Sequence, residues 1–178
     1  AIIQQRLTAH TFAVSEALNE QGDVDVQVAM SGVSLRSAQR CLPSLPPCTL
    51  VDQGRGSLGA RMLRQIHRAR FRQQNKPVIV IGTDLADLCQ NDLRHAIQKL
   101  HNQPLVLGPS ADGGYWLLGL GAALTQQQLD ALFAAVPWGS NKVLDITCAR
   151  ARGLGLTPHL LSMKNDIDCL ADLHSWQR

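Results

Sequence analysis

Apolar positions at Ile3, Leu7, Phe12, Val14 and Leu18, separated by polar ones, predict an amphipathic helix over 2–18, with Gly22 just past its end. Val24, Val26 and Val28 alternate with polar partners and predict a strand over 24–30. Arg36–Cys41 fits a short helix stopped by Pro43, Pro46 and Pro47, and Thr49–Val51 a short strand. Leu58, Met62 and Ile66 then recur at helical spacing, in a helix that ends near Asn75. The next stretch, Pro77–Leu88, reads PVIVIGTDLADL. Val78–Ile81 is apolar on both faces, which predicts a central strand of a mostly parallel sheet with helices on each side. Downstream, Leu93, Ile97 and Leu100 mark a helix over 92–100, and 104–109 a strand. A second apolar run, 115–120, follows the turn Ser110–Gly114. Thr125 with Gln128 forms a capping-box pattern ahead of Leu129, Leu132 and Phe133. Pro137-Trp138-Gly139 breaks that helix, and Ser140 is placed to cap the next, which buries Val143 and Leu144 and stops at Gly153. A last strand is expected over 156–161, and a closing helix through Leu170, Leu173 and Trp176.

Strands alternating with helices predict a three-layer α/β fold in a single domain spanning 1–178, without repeats or linkers. Composition adds little to this and excludes much. Hydrophobic content of 45% and charged content of 17% suit a globular domain, no apolar run is long enough to span a bilayer, and no signal peptide is visible. The five cysteines are odd in number and lack CxxC spacing, which favours reduced thiols and a cytoplasmic setting. The net charge of +3 is mild but uneven, because seven of seventeen Lys and Arg residues fall between Arg55 and Lys76. That basic helix reads as a solvated face. A nucleic-acid role is disfavoured, since only seven aromatic residues are present and no nucleic-acid motif is found.

Asp84 carries the first candidate chemistry. It sits just past the carboxyl end of the 78–81 strand, where open α/β sheets bind ligands, and it suits a Mg²⁺ or Mn²⁺ ion carrying a phosphorylated substrate. The plain alternative is a cap of the following turn. QGRGSLGARM, Gln53–Met62, offers backbone N–H groups and a helix start to a phosphate or a base, but it is neither a P-loop nor GxGxxG. Asp112-Gly113-Gly114 lets a ligand lie against main chain, or simply turns a hairpin. With Asp166 and Asp168 these loops make three acidic positions at predicted strand ends or a glycine turn, fit to bridge a divalent ion and its diphosphate. There is no GxSxG or HExxH, the six histidines read as surface residues, and nothing near Cys89 marks an activated thiol.

Four segments, GTDLADL, LGPSADGGYWLLGL, VPWGS and DIDCLADL, occur in an order and spacing that resembles a bacterial glycosyltransferase-like family. It is the arsenosugar-biosynthesis-associated type, distantly similar to 2-phospholactate guanylyltransferases and molybdenum-cofactor nucleotidyltransferases. QGRGSLGARM is similar to that family's glycine-leucine-glycine loop, so the resemblance spans Val24–Leu173. It implies the GT-A, nucleotide-diphospho-sugar transferase fold. It also implies Asp84 and Asp168 as catalytic acids and Asp84, Asp166 and Asp168 as ligands of Mg²⁺ or Mn²⁺. Gly56, Gly59, Asp112, Gly113, Gly114 and Tyr115 would then bind substrate. The implied activity is metal-dependent transfer from a nucleotide sugar. Alternatives are a nucleotidyltransferase joining an NTP to a small phosphorylated acceptor, and an inactive binding or scaffold domain; an oligomer is compatible with each. Two departures stand out. Leu85-Ala86 replaces the family's residue-then-proline after the first aspartate, which predicts a looser loop. The family's opening strand and its Lys-Thr-Arg-Leu run are missing, so the domain is expected to be amino-terminally shortened. That strand would lie between those near Val26 and Val80, so a longer natural chain, re-paired strands or a partner chain is expected to close the gap.

Overall fold

The structure, a computed structural model, describes residues 2–22, 24–41, 49–74 and 76–165. In chain order the elements are α1 (Ile2–Asn19), β1 (Gln27–Met30), α2 (Leu35–Cys41), β2 (Thr49–Asp52), α3 (Leu58–Arg72) and β3 (Val78–Ile81). They are followed by α4 (Gln90–Leu100), β4 (Leu105–Pro109), β5 (Tyr115–Leu120), α5 (Gln126–Phe133), α6 (Val143–Gly153) and β6 (His159–Leu160). The predicted closing helix lies outside the described residues.

Side-chain alternation sorts the core into two layers across the sheet β3-β5-β4-β6. Ile79, Ile81, Val106 and Leu117 face a cluster built with Val14 and Leu18 of α1 and Leu93, Ala96 and Leu100 of α4. Val78, Val80, Leu105, Leu107, Leu118 and Leu120 face the other cluster, with Ile66 of α3, Leu129, Leu132 and Phe133 of α5, and Cys148 and Ala151 of α6. Helices on both faces of one sheet give the three-layer α/β architecture expected. Ala96, Leu105 and Leu107 are fully buried, and closely packed side chains of this kind supply most of the stabilisation.

Strand directions fix where loops emerge. β5 is antiparallel to both β3 and β4, and β4 is parallel to β6. β3, β4 and β6 therefore point the same way. β1 and β2 form a separate parallel pair. The start of α3, at Gly59, lies against Trp138, which packs edge-on to Tyr115 at the start of β5. The far end of α3 is tied by Arg70 to the carbonyls of Gly121, Ala122 and Leu124, just past the end of β5. So α3 begins at the carboxyl rim of β3 and β4, and β2, which feeds it, ends there too. Among the described residues five of the six strands run toward that rim, and β5 alone runs away from it.

The position of β3 corrects one expectation. It ends the four-stranded sheet instead of lying in its middle, and all four of its residues are half-buried. Its faces are covered by helices, yet among the described residues no strand pairs with its second edge. Among the described residues β1 is likewise paired only with β2, so β1 and β3 do not re-pair with each other. Smaller corrections concern helix ends. Leu58 is exposed instead of buried, and Lys142 is the cap residue of α6, with Ser140 Oγ instead accepting from Lys142 N–H (3.4 Å) in the turn before it.

Candidate functional site

The loop after β2 is built by the basic helix beside it. Arg64 donates to the carbonyls of Gln53 (2.7 Å) and Arg55 (2.9 Å), and Arg68 to that of Asp52 (3.3 Å). Arg61 donates to Gln53 Oε1 (2.8 Å) and Ser31 Oγ (3.1 Å), joining this loop to the one after β1. With Arg70 held by carbonyls at the opposite end, four arginines of α3 satisfy backbone and side-chain acceptors. Part of the helix's charge thus pins a loop, while Arg68 and Arg72 stay exposed. Asp52 Oδ1 accepts from Gly54 N–H (2.9 Å) and closes a tight turn.

These two loops enclose an open cavity of about 520 Å³ at the carboxyl rim, lined by Ser31–Ser34, Asp52, Gly54–Gly56 and Arg61. Gly32, Gly54 and Gly56 all have positive φ (79°, 76° and 115°), so a glycine-rich backbone forms much of the wall. Arg61 Nε is buried without a hydrogen-bond partner among the described residues. Sequence reasoning singled out the Gln53–Met62 loop, which gives Gly54, Arg55, Gly56 and Arg61 to this wall, but missed Ser31–Ser34 and Asp52.

The acid-bearing loops lie farther along the same rim. Asp84 is half-buried after β3, with Oδ1 only 2.5 Å from where a Cβ on Gly82 would stand. A side chain at residue 82 would therefore displace this carboxylate. Leu85 and Leu88 are almost wholly buried (0% and 1% exposed) and anchor the loop, and His10 donates to the Leu88 carbonyl (2.8 Å).

Lys164, beyond β6, reaches into this region. Its Nζ lies 3.0 Å from Asp92 Oδ2 and 3.3 Å from Asp87 Oδ2, and donates to the Asp87 carbonyl (3.1 Å). Burial opposes charge on Asp92, but the Cys89 N–H (2.8 Å) and the Lys164 ammonium outweigh it and hold the carboxyl below its usual range. Burial would lower Lys164 as well. Its bonds to Asp92 and Asp87 prevail and raise it above an ordinary lysine. Cys89 itself is exposed and caps α4.

The glycine turn between β4 and β5 is a hairpin turn that a second loop covers. Gly113 (φ 88°) meets the carbonyl of Asn141 where a Cβ would stand, and accepts from Leu144 N–H (3.0 Å). Asp112 is exposed, with Oδ1 accepting from Gly114 N–H (2.8 Å). Tyr115 packs on the α5–α6 side of the sheet, and burial pushes its hydroxyl's pKa up. Gly59 lies beneath Trp138, which occupies the place of any side chain there. Of the expected substrate residues, then, Gly56 lines the cavity, while Gly59, Gly113 and Tyr115 sit in close packing.

Asp166 and Asp168 lie outside the described residues. Among the described residues no three His, Cys, Asp or Glu side chains come together in a metal-binding group. Asp87 and Asp92 are paired with Lys164. Nor, among the described residues, is any helix long and apolar enough to cross a membrane.

Among solved structures, a protein from Desulfovibrio desulfuricans G20, provisionally described as a nucleotide-diphospho-sugar transferase, is similar over 99% of this chain and 74% of its own. The TM-score is 0.82 at 23% sequence identity, which establishes the nucleotide-diphospho-sugar transferase type of fold. A search of curated proteins found no match. Residues 13–140 match the family model described as "Uncharacterized protein conserved in bacteria (DUF2064)", and the chain belongs to that family.

Proposed function

We propose that this protein is a transferase that binds a nucleotide sugar along the carboxyl rim, with the nucleoside in the cavity and the diphosphate turned toward Asp84. The observation that carries the reading is the cavity of about 520 Å³ where the β1 and β2 loops meet. Its size suits a small molecule, and its place matches where open α/β sheets take their ligands. Arg61, fixed by Gln53 and Ser31, lines the cavity, and the glycine backbone of the β2–α3 loop admits close approach. Asp84, Asp166 and Asp168 would hold a Mg²⁺ or Mn²⁺ ion. When bound, such an ion neutralises diphosphate charge and helps the nucleotide leave. The likeness in fold and the resemblance to arsenosugar-associated glycosyltransferases support sugar transfer ahead of nucleotidyl transfer.

The test is a thermal-shift series with nucleoside diphosphates, their sugar conjugates and nucleoside triphosphates, each with and without Mn²⁺. A ligand at a hundred times its Kd should raise the midpoint by about 5–10 °C, and Mn²⁺ should enlarge the shift. A response to triphosphates alone would favour the nucleotidyltransferase. No response to any nucleotide would contradict both readings and leave a binding domain of another kind.

A further inference from the structure

We infer that Lys164 is the positioning residue that locks the Asp84 loop and the Asp112 turn into one rigid rim, an inference that rests on the metal–nucleotide reading of that rim. Its main chain is bound first. Lys164 N–H donates to the Pro109 carbonyl (3.0 Å), and its own carbonyl accepts from Ala111 N–H (3.1 Å), so the residue is stitched to the end of β4 and the start of the turn carrying Asp112. Trp116 Nε1 donates to the Ser162 carbonyl (3.2 Å), which sets the approach. The side chain then passes the Trp116 ring, 5.6 Å from its centroid, and is only 10% exposed.

An ammonium has three N–H donors. Three acceptors surround this one within 3.3 Å: Asp92 Oδ2, Asp87 Oδ2 and the Asp87 carbonyl. With its donors engaged, Lys164 is not a ligand of the substrate; it acts through what it holds. Asp87 stands three residues after Asp84 in the same anchored loop, and Asp92 Oδ2 also accepts from Cys89 N–H at the start of α4. Its side chain therefore reaches back 72 to 77 residues to the Asp84 loop while its main chain holds the turn carrying Asp112, so the residue joins two candidate loops. It also precedes Asp166 by two residues in the chain. Replacing the ammonium with an apolar group would leave two carboxylates facing one another and uncouple the Asp84 loop from the turn, whose main-chain bonds remain.

The test compares wild type with Lys164→Met and Lys164→Arg by calorimetry, titrating a nucleoside diphosphate in Mn²⁺ and the parent nucleoside without metal. Supporting groups of this kind cost about tenfold to a hundredfold in metal affinity when removed. Lys164→Met should therefore weaken the Mn²⁺-dependent binding at least about tenfold and leave nucleoside binding unchanged, while Lys164→Arg recovers most of the loss. Should Lys164→Met fail to fold, Asp92→Asn, which removes one arm, should show a smaller loss of the same kind. Unchanged affinity in Mn²⁺, or equal losses for diphosphate and nucleoside, would overturn the inference. If wild type binds no nucleotide, the functional reading fails by itself. Hydrogen exchange in metal-free protein then decides the pin: Lys164→Met must loosen 83–88 and spare α5, and unchanged protection of 83–88 overturns it.

Discussion

The centre of the four-stranded sheet and the β1–β2 pair are built to different standards of burial. Every residue of β4 and all of β5 beyond Tyr115 are buried, whereas all four residues of β1 are half-exposed. The loops follow the same division. Around β3, β4 and β6 they are anchored by Leu85, Leu88 and Lys164, while those after β1 and β2 leave an open, glycine-walled cavity. In the functional account the rigid half presents acids at fixed positions, and the open half admits the larger part of the ligand.

Hydrogen exchange gives the largest expected contrast. Amides shared by β4 and β5 should exchange about a thousandfold more slowly than those on the β1 and β3 edges that no described strand covers. Equal protection would mean that the edges are sealed and the division false. Next in size is core truncation. Leu107→Ala, at a fully buried site, should cost about 3 kcal/mol in urea denaturation, and Val28→Ala on half-exposed β1 about 1 kcal/mol. Similar costs would erase the difference between the sheets.

Glycine substitutions sharpen it. Gly113→Ala meets both a positive φ and the Asn141 carbonyl and should cost about 2–3 kcal/mol. Gly32→Ala, with φ 79° but open space around it, should cost about 1 kcal/mol. The smallest effect is that of pH. Asp92 has its folded pKa below the unfolded value of about 3.9, so its contribution is present above that pH and is lost as pH falls through the folded pKa. Lys164 is raised, so its share is present below about pH 10.4 and lost as pH climbs through its folded value. Asp92→Asn should flatten the acid limb of the stability profile by less than about 1 kcal/mol. An unchanged limb would remove Asp92 from the account.

Much of the fold was legible from periodicity and caps. Thr125 and Gln128 form the capping box read from their spacing, and Leu129, Leu132 and Phe133 are buried as expected. The edge position of β3 was not legible, for a physical reason. A run that is apolar on both faces reports helices above and below the strand. It says nothing of hydrogen-bond partners on its two edges, and among the described residues Val78–Ile81 is covered above and below but paired on its β5 edge alone. At the site, Asp84 and the glycine loop stood out because local chain chemistry marks them. Lys164 did not, since its partners lie 72 and 77 residues away. Gly59 and Gly113 drew notice as ligand-facing glycines, but the neighbours that fill their Cβ positions, Trp138 and Asn141, come from a distant loop.

The central claim is that one nucleotide spans the open cavity and the Asp84 loop. Calorimetric titration of a nucleoside diphosphate into wild type, Arg61→Ala and Asp84→Asn, each with and without Mn²⁺, tests it most directly. Arg61→Ala should weaken binding about tenfold under both conditions, and Asp84→Asn should abolish only the increment that Mn²⁺ adds. Wild-type affinity in both variants, or loss of the Mn²⁺ increment in neither, would contradict the account.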